Sequence, residues 1–322
     1  MVQFFQNPNI NFIGFRRKAF LLSGVILIPG ILSLILRGPN YGIDFTGGTL
    51  IQIHLENPVS TDELRRSLSE VGLEKAMIQR YGSATDYLIR TPAVLERKNP
   101  LGETPSGEDP SQEPQEGGSA GEAVLKVLSE DFPGNLIRID REEMVGPRIS
   151  KALLGKAIWI LLLGMGVMLV YISFRFTFRF GIGAVVALFH DVLVVAGLLS
   201  LFNKELTIQI IAALLTIVGY SINDSIVVSD RIRENLKLLR KESFPRIVND
   251  SINQTLSRTV ITGLTTIMVL IVLLFFGGEV IHDFALALLI GIVVGTYSSI
   301  FVVAPIVVEW ERISPTKTKM MR

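Results

Sequence analysis

The chain has 322 residues, 49% of them hydrophobic and only 19% charged, with 31 Lys and Arg against 30 Asp and Glu. A mean hydropathy of +0.46 lies far above that of soluble globular proteins and disfavours a cytosolic enzyme, while a net charge of +1 removes any global electrostatic case for nucleic acid. With no cysteine and three scattered histidines there is no disulfide framework, thiol nucleophile or Cys/His metal motif, so neither a metal nor a cofactor is expected.

Six stretches have the roughly 20 apolar residues that a ~30 Å hydrocarbon core demands. They are Ala19–Leu36, Ala157–Phe174, Phe180–Asn203, Leu206–Ser229, Thr259–Gly278 and Phe284–Val308. The first follows Arg16-Arg17-Lys18, yet its apolar run is longer than a signal peptide's and ends at Arg37 without a small-residue cleavage pattern, so it reads as an uncleaved anchor. Basic residues in short connections set the orientation. Arg16 to Lys18, Arg175 with Arg179, the basic run Arg231 to Arg258, and Arg312 to Arg322 share one side only if all six stretches span; the other side's short loops hold only Lys204. Residues 1–18 and 309–322 are therefore expected in the cytoplasm, with 19–37 as the first helix and 157–308 as helices two to six.

Residues 38–156 are expected outside the cytoplasm. Thr49–Glu56 alternates Ile51, Ile53 and Leu55 with Gln52, His54 and Glu56, a half-buried strand. Ser60 and Glu63 fit a capping box for a helix whose apolar face is Leu64, Leu68 and Val71. Ala76–Tyr81 and Asp86–Thr91 read as strands joined by Gly82-Ser83; a helix at Glu122–Phe132 and a strand at Leu136–Arg141 complete β-α-β-β-α-β, the ferredoxin-like order. The expected fold is thus a polytopic α-helical membrane protein of six transmembrane helices, with one extracytoplasmic α+β domain between helices 1 and 2. Within that domain, residues 98–121 carry Pro100, Pro105, Pro110 and Pro114 among glycines and acids with almost no apolar content, and are expected to be disordered. That stretch is either a tolerated insertion or an acidic tether.

Gly42, Asp44, Gly47 and Gly48, in Tyr41-Gly42-Ile43-Asp44-Phe45-Thr46-Gly47-Gly48, follow the first span and suit a sharp positive-φ exit into a strand. A phosphate cradle is the weaker alternative, because no basic residue or helix start accompanies the glycines and Asp44 would repel phosphate. Gly146 and Pro147, in Val145-Gly146-Pro147, form the matching hinge into the second span. In the fourth span Gly219-Tyr220-Ser221-Ile222-Asn223-Asp224-Ser225 runs on to Asp230-Arg231, and Asn253-Gln254-Thr255-Leu256-Ser257-Arg258-Thr259 leads into the fifth.

Together these motifs closely resemble the SecD/SecF family of bacterial protein-export membrane subunits. The resemblance covers nearly the whole chain, and more distantly extends to half of a resistance-nodulation-division transporter. Two features depart from the family pattern: the long acidic stretch 98–121, and Ser150 where glycine often follows the Val-Gly-Pro motif. The resemblance implies a multi-pass protein of the cytoplasmic (inner) membrane that uses the proton-motive force to promote preprotein movement and release. Its implied partners are a SecD-like subunit, the SecYEG channel, YajC, unfolded preprotein and the lipid bilayer, with no nucleic acid. The alternative is a half-transporter exporting small molecules, which would want a larger outer domain. A membrane enzyme lacks any nucleophile–base spacing.

Ionisable groups within a span are costly, so they face the protein interior and mark candidate pathways. Asp224 lies toward the cytoplasmic end of the fourth span, Arg258 enters the fifth at a similar depth, and Ser221 and Arg231 share the helical face of Asp224. Asn223, about 100° round the helix, faces elsewhere. The resemblance implies that Asp224 and Arg258 match the family's functional acid and base; the alternative is a static ion pair that fixes helix packing. His190 and Asp191, near mid-span, are either a secondary proton relay or a hydrogen-bonded lock. Gly291 and Gly295 read as close-packing contacts. Residues 230–258 are basic with interspersed Ile232, Leu236, Leu239, Ile247 and Ile252, read as a membrane-proximal loop or as an amphipathic pair on lipid or a partner.

Overall fold

The structure, a computed structural model, describes residues 8–69, 73, 76–91, 120–176 and 178–313. The acidic stretch, save Ala120 and Gly121, and Val71 lie outside the described residues, as do Lys317, Lys319 and Arg322. The chain divides into two compact units, one of residues Met1–Asn40 with Ala157–Arg322 and one of Tyr41–Lys156.

In the first unit six helices are long and apolar enough to cross a membrane. They are α1 (Arg16–Leu36), α5 (Pro147–Arg175), α6 (Phe178–Leu201), α7 (Ile208–Leu238), α8 (Phe244–Phe276) and α9 (Glu279–Ser298), the last continuing through a π-helical turn, Ser299–Val303, into α10 (Ala304–Ile313). The apolar windows of α6, α7 and the sixth span are half or more buried, those of α5 and α8 only 17%. Without a hydrophobic drive between helices in lipid, small residues decide who packs closely. A Cβ on Gly30 of α1 would lie 2.9 Å from the Cα of Gly197 on α6, and one on Gly291 would lie 2.2 Å from Ile217 Cδ1 on α7. A Cβ on Gly295 would meet Ser221 at 3.1 Å. The sixth span therefore seats directly on α7.

The helices overrun the apolar runs that announce them. α7 reaches Leu238 and α8 begins at Phe244, so residues 230–258 are helical at both ends and only 239–243 form the connection. Ile232, Ile247 and Ile252 are buried in the bundle core, and only Leu236 of that apolar series is exposed. Asn235 ties the two helix ends together, donating to Ser251 Oγ and Gln254 Oε1, both at 2.8 Å.

The second unit runs α2 (Ile43–Thr46), β1 (Gly48–Leu55), α3 (Thr61–Ser69), β2 (Met77–Arg80), β3 (Asp86–Thr91), α4 (Ala120–Asp131) and β4 (Ile137–Val145). The sheet order is β2-β3-β1-β4 with every neighbouring pair antiparallel, the ferredoxin-like arrangement. Ile51, Ile53 and Leu55 point to the helical side and are fully buried with Leu64, Leu68, Tyr87, Ile89, Val124 and Leu128. The capping box forms as the sequence implies: Glu63 N–H donates to Ser60 Oγ at 3.2 Å and Ser60 N–H to Glu63 Oε2 at 3.1 Å. Those bonds from Ser60 hold the Glu63 carboxyl below its ordinary pKa. β4 is longer than the alternation suggests, because a bulge opposite Gln52 and Ile53 shifts its register and reverses which residues face the core. Glu142 thereby reaches the helical side, where its Oε1 accepts from Gly121 N–H at 3.0 Å.

The glycine motif behaves differently from a simple positive-φ turn. Gly42 is extended, φ −68°, and caps the single helical turn α2, a helix start that the sequence does not announce. Positive φ falls only at Gly47 (74°) and Gly48 (123°), where the chain swings into β1. At the other end β4 stops at Val145 and α5 starts at Pro147, which leaves Gly146 as the only joint, without positive φ. Ser150 is fully buried and donates to Gly146 O at 3.1 Å and Ile43 O at 3.4 Å, so it staples the joint to α2.

Candidate functional site

Two buried carboxylates lie within the helix bundle, and their surroundings differ. Asp191 on α6 is 0% exposed and saturated. Its Oδ2 accepts from Ser221 Oγ of α7 at 2.6 Å and Ser298 Oγ of α9 at 2.7 Å, while its Oδ1 lies 2.9 Å from His190 Nδ1. His190 Nε2 is 3.1 Å from Ser23 Oγ on α1, and Ser23 Oγ is 3.1 Å from the hydroxyl of Tyr297, which donates to Ala19 O at 2.6 Å. Four helices thus meet on one chain of hydrogen bonds. His190 and Asp191 come together as the sequence suggests; Ser23, Tyr297 and Ser298 carry no local signal that would have selected them.

Asp224 on α7 is also buried, 1% exposed, but its Oδ2 has no hydrogen-bond partner among the described residues. The hydroxyls of Tyr220 and Thr259 are buried and likewise unpartnered, while that of Thr296 on α9 is directed at the Asp224 carboxylate outside full hydrogen-bond geometry. Tyr220 and Thr296 converge with Asp224 around Gly263 of α8. Tyr220 stands one turn before Asp224 on α7, Thr259 and Gly263 one turn apart on α8, and Thr296 on α9 faces Asp224. Gly263 makes the room, since a Cβ there would lie 3.3 Å from Thr296 Oγ1 and 4.0 Å from the Tyr220 hydroxyl. Arg258 is exposed on α8, and no ion pair joins it to Asp224 among the described residues. Asn223 lies on the exposed side of α7, as its angular offset requires. Arg231 turns to Gln254 and Glu234 at 2.6 and 2.5 Å, away from Asp224.

The second unit holds one trio of possible metal-ligating groups among the described residues, His54, Asp86 and Asp140, whose ligand atoms lie within 4.8 Å of one another. Protein donors already serve it: His54 and Ser83 bind Asp86, and Arg138 Nε reaches Asp140 at 2.7 Å. Burial works to raise the Asp86 pKa, but the bonds from His54 and Ser83 outweigh it and hold the carboxyl below the ordinary aspartate range.

A bundle of six membrane-crossing helices with an inserted ferredoxin-like domain defines a multi-pass membrane protein of the transporter class. The family model described as "Protein export membrane protein SecD/SecF, C-terminal" matches residues 125–313, and the "SecD/SecF GG Motif" matches residues 32–59. The protein translocase subunit SecF of Endomicrobium trichonymphae is 42% identical over 312 residues, which cover 96% of this chain and 94% of that protein. The SecF of Escherichia coli O157:H7 is 41% identical over 291 residues, 90% of this chain and 84% of that one. The crystal structure of SecDF from Thermus thermophilus, a translocon-associated membrane protein, superposes with a TM-score of 0.81 at 41% identity. It is matched over 95% of this chain and 39% of its own length. The chain belongs to the SecD/SecF family of protein-export membrane proteins, as a SecF-type transport subunit and not an enzyme. Because SecDF relatives carry this part fused within a longer chain, a SecD-type partner is implied.

Proposed function

We propose that this chain couples the proton-motive force to preprotein movement and release on the outer side of the bacterial cytoplasmic membrane, in complex with a SecD-type subunit at the SecYEG channel and with YajC as an accessory. The observation that carries this reading is the Asp224 carboxylate, buried, with Oδ2 outside any full hydrogen bond among the described residues and the Thr296 hydroxyl of α9 directed at it. A carboxylate in such a place binds a proton more readily than in water, and a guanidinium brought close reverses the preference. Arg258 at the rim is the group placed to do this. Movement of Arg258 or entry of water then switches proton affinity, and each charge that crosses the membrane supplies about 2.3 kcal/mol per 100 mV.

In this reading both termini face the cytoplasm and residues 38–156 face outward, where they meet emerging unfolded preprotein. Gly47 and Gly48 with Gly146 and Pro147 form the joints of that domain, and Gly42 and Asp44 set the turn before them. His190 and Asp191 act chiefly as a lock between helices and secondarily as a relay through Ser221, one turn from Asp224. Asn223, exposed beside Asp224, faces the SecD-type partner. The test is Asp224→Asn in membrane vesicles that contain the partner and channel. Copurification should be unchanged and the stimulation of secretion by a proton gradient lost; unaltered gradient dependence defeats the proposal. Gradient-driven export of a small dye by the same vesicles would point instead to small-molecule transport.

A further inference from the structure

The N-terminal segment ahead of α1 is held by α8 in a way that neither the helix packing nor the proton site requires. Asn249 and Asn253 stand one turn apart on one face of α8, and both carboxamides read the backbone of residues 10–13. Ile10 N–H donates to Asn253 Oδ1 at 2.9 Å, and Asn253 Nδ2 returns a bond to Ile10 O at 2.9 Å. Asn249 Nδ2 also donates to Ile10 O at 3.0 Å, and its Oδ1 accepts from Ile13 N–H at 3.3 Å. Phe12 and Ile13 are buried beneath this clamp, and the Phe12 ring meets Phe301 of the π-helical turn edge-on at 5.8 Å. Arg16, at the start of α1, closes the segment with a bond to Ile13 O at 3.1 Å and an ion pair to Glu309 of α10 at 3.1 Å.

The opposite face of α8 is gripped by α7. Ser251 and Gln254 bond to Asn235, and Gln254 also to Arg231. Ser251, Gln254 and Arg258 follow one another at three- and four-residue spacing, so Arg258 continues the stripe that borders α7. Asn253 lies about 200° from Ser251 round the helix. Elsewhere α8 packs along α7 and α9 with only 17% of its apolar window buried. Arg258 and Thr259 are neighbours about 100° apart. Thr259 is buried in the bundle and Arg258 is exposed. A turn of α8 that exchanged them would have to slide or break the Asn249 and Asn253 bonds to residues 10–13.

We infer that Asn249 and Asn253 are positioning residues: by clamping the N-terminal segment they set the rotation of α8 and so how closely Arg258 approaches Asp224. The inference rests on the reading of Asp224 and Arg258 given above. The chain's lack of cysteine allows a direct test in the full complex. A single Arg258→Cys reports its own accessibility by the rate of thiol labelling, and Arg233→Cys on the exposed side of α7 serves as the control. Adding Asn249→Ala and Asn253→Ala, which removes all four bonds to residues 10–13, should change labelling at position 258 by about fivefold or more, fivefold being the equilibrium weight of a single hydrogen bond of ~1 kcal/mol, and leave position 233 unchanged. Asn253→Asp, which keeps the acceptor for Ile10 N–H and loses the donor, should give a smaller change and guards against a folding defect in the double variant. With Arg258 present, the double variant should show a weakened and pH-shifted gradient stimulation at unchanged protein level. Unaltered labelling at 258 overturns the clamp, whatever transport does. Altered labelling with unaltered transport upholds the clamp and removes Arg258 from the coupling role.

Discussion

Asp191 and Asp224 are both carboxylates buried in the same helix bundle, and the contrast between them separates a structural acid from a working one. Asp191 has every direction filled, by two serines and a histidine drawn from α6, α7 and α9. Asp224 keeps Oδ2 outside any full hydrogen bond among the described residues, with the Thr296 hydroxyl directed at the carboxylate. A satisfied buried network rigidifies what it joins, whereas an unsatisfied polar group costs stability and persists where the arrangement is used. Burial alone therefore does not identify a proton-handling residue; the state of its partners does.

The contrast can be broken most severely at Asp191. Asp191→Ala leaves His190, Ser221 and Ser298 facing one another without an acceptor. It should destabilise the bundle by about 3–5 kcal/mol, read as a fall in the unfolding midpoint in detergent. Asp224→Asn should shift that midpoint little. If both variants lose stability equally, the distinction fails. A third buried polar node, Tyr87 in the inserted domain, gives a calibration. Its hydroxyl accepts from Val59 N–H at 3.0 Å and donates to the carbonyls of Val59 and Ala84 at 2.5 and 2.9 Å. Tyr87→Phe should cost about 1–3 kcal/mol in the unfolding of that domain and leave gradient stimulation in place.

The space around Asp224 can be narrowed without touching the acid. Gly263→Ala brings a methyl to 3.3 Å of Thr296 Oγ1, so gradient-stimulated secretion should fall severalfold at unchanged stability. Normal stimulation would mean that the open face of the site is not used. The smallest effect belongs to Asp86. Its pKa is lower folded than unfolded, so its contribution is fully present above the unfolded value of about 3.9 and is lost as pH falls through the lower folded value. Acid unfolding of the inserted domain, followed by circular dichroism, should lose part of its steepness at that end in Asp86→Asn.

Much of this molecule is legible in its residues. An apolar run of bilayer length can be buried in few ways, so the spans follow from Ala19–Leu36 and its counterparts directly. The alternation of Ile51, Ile53 and Leu55 likewise finds the central strand. The helix ends are only half legible: the spacing of Ile232, Leu236, Ile247 and Ile252 suits an amphipathic pair, but the charges of 230–258 fit a loop as well when only continuous apolar length is counted. α2 is a single turn, too short for any period. Asp224 announces itself by the cost of a charge in an apolar segment. Tyr220, Gly263 and Thr296 do not, since hydroxyls and glycines are ordinary in spans and their convergence depends on contacts between helices far apart in sequence. The clamp of Asn249 and Asn253 was missed for the same reason: carboxamides on a basic helix look like solvated surface until the N-terminal segment is laid across them.

The central claim, that Asp224 is the working acid and Asp191 the structural one, is tested most directly by proton-gradient dependence of secretion in vesicles with Asp224→Asn and Asp191→Asn side by side, each normalised to the amount of assembled complex. The account predicts that Asp224→Asn abolishes the gradient's contribution at normal assembly, whereas Asp191→Asn lowers assembly and leaves the remaining complexes responsive. A gradient response that survives in Asp224→Asn, or one that vanishes only in Asp191→Asn, would contradict it.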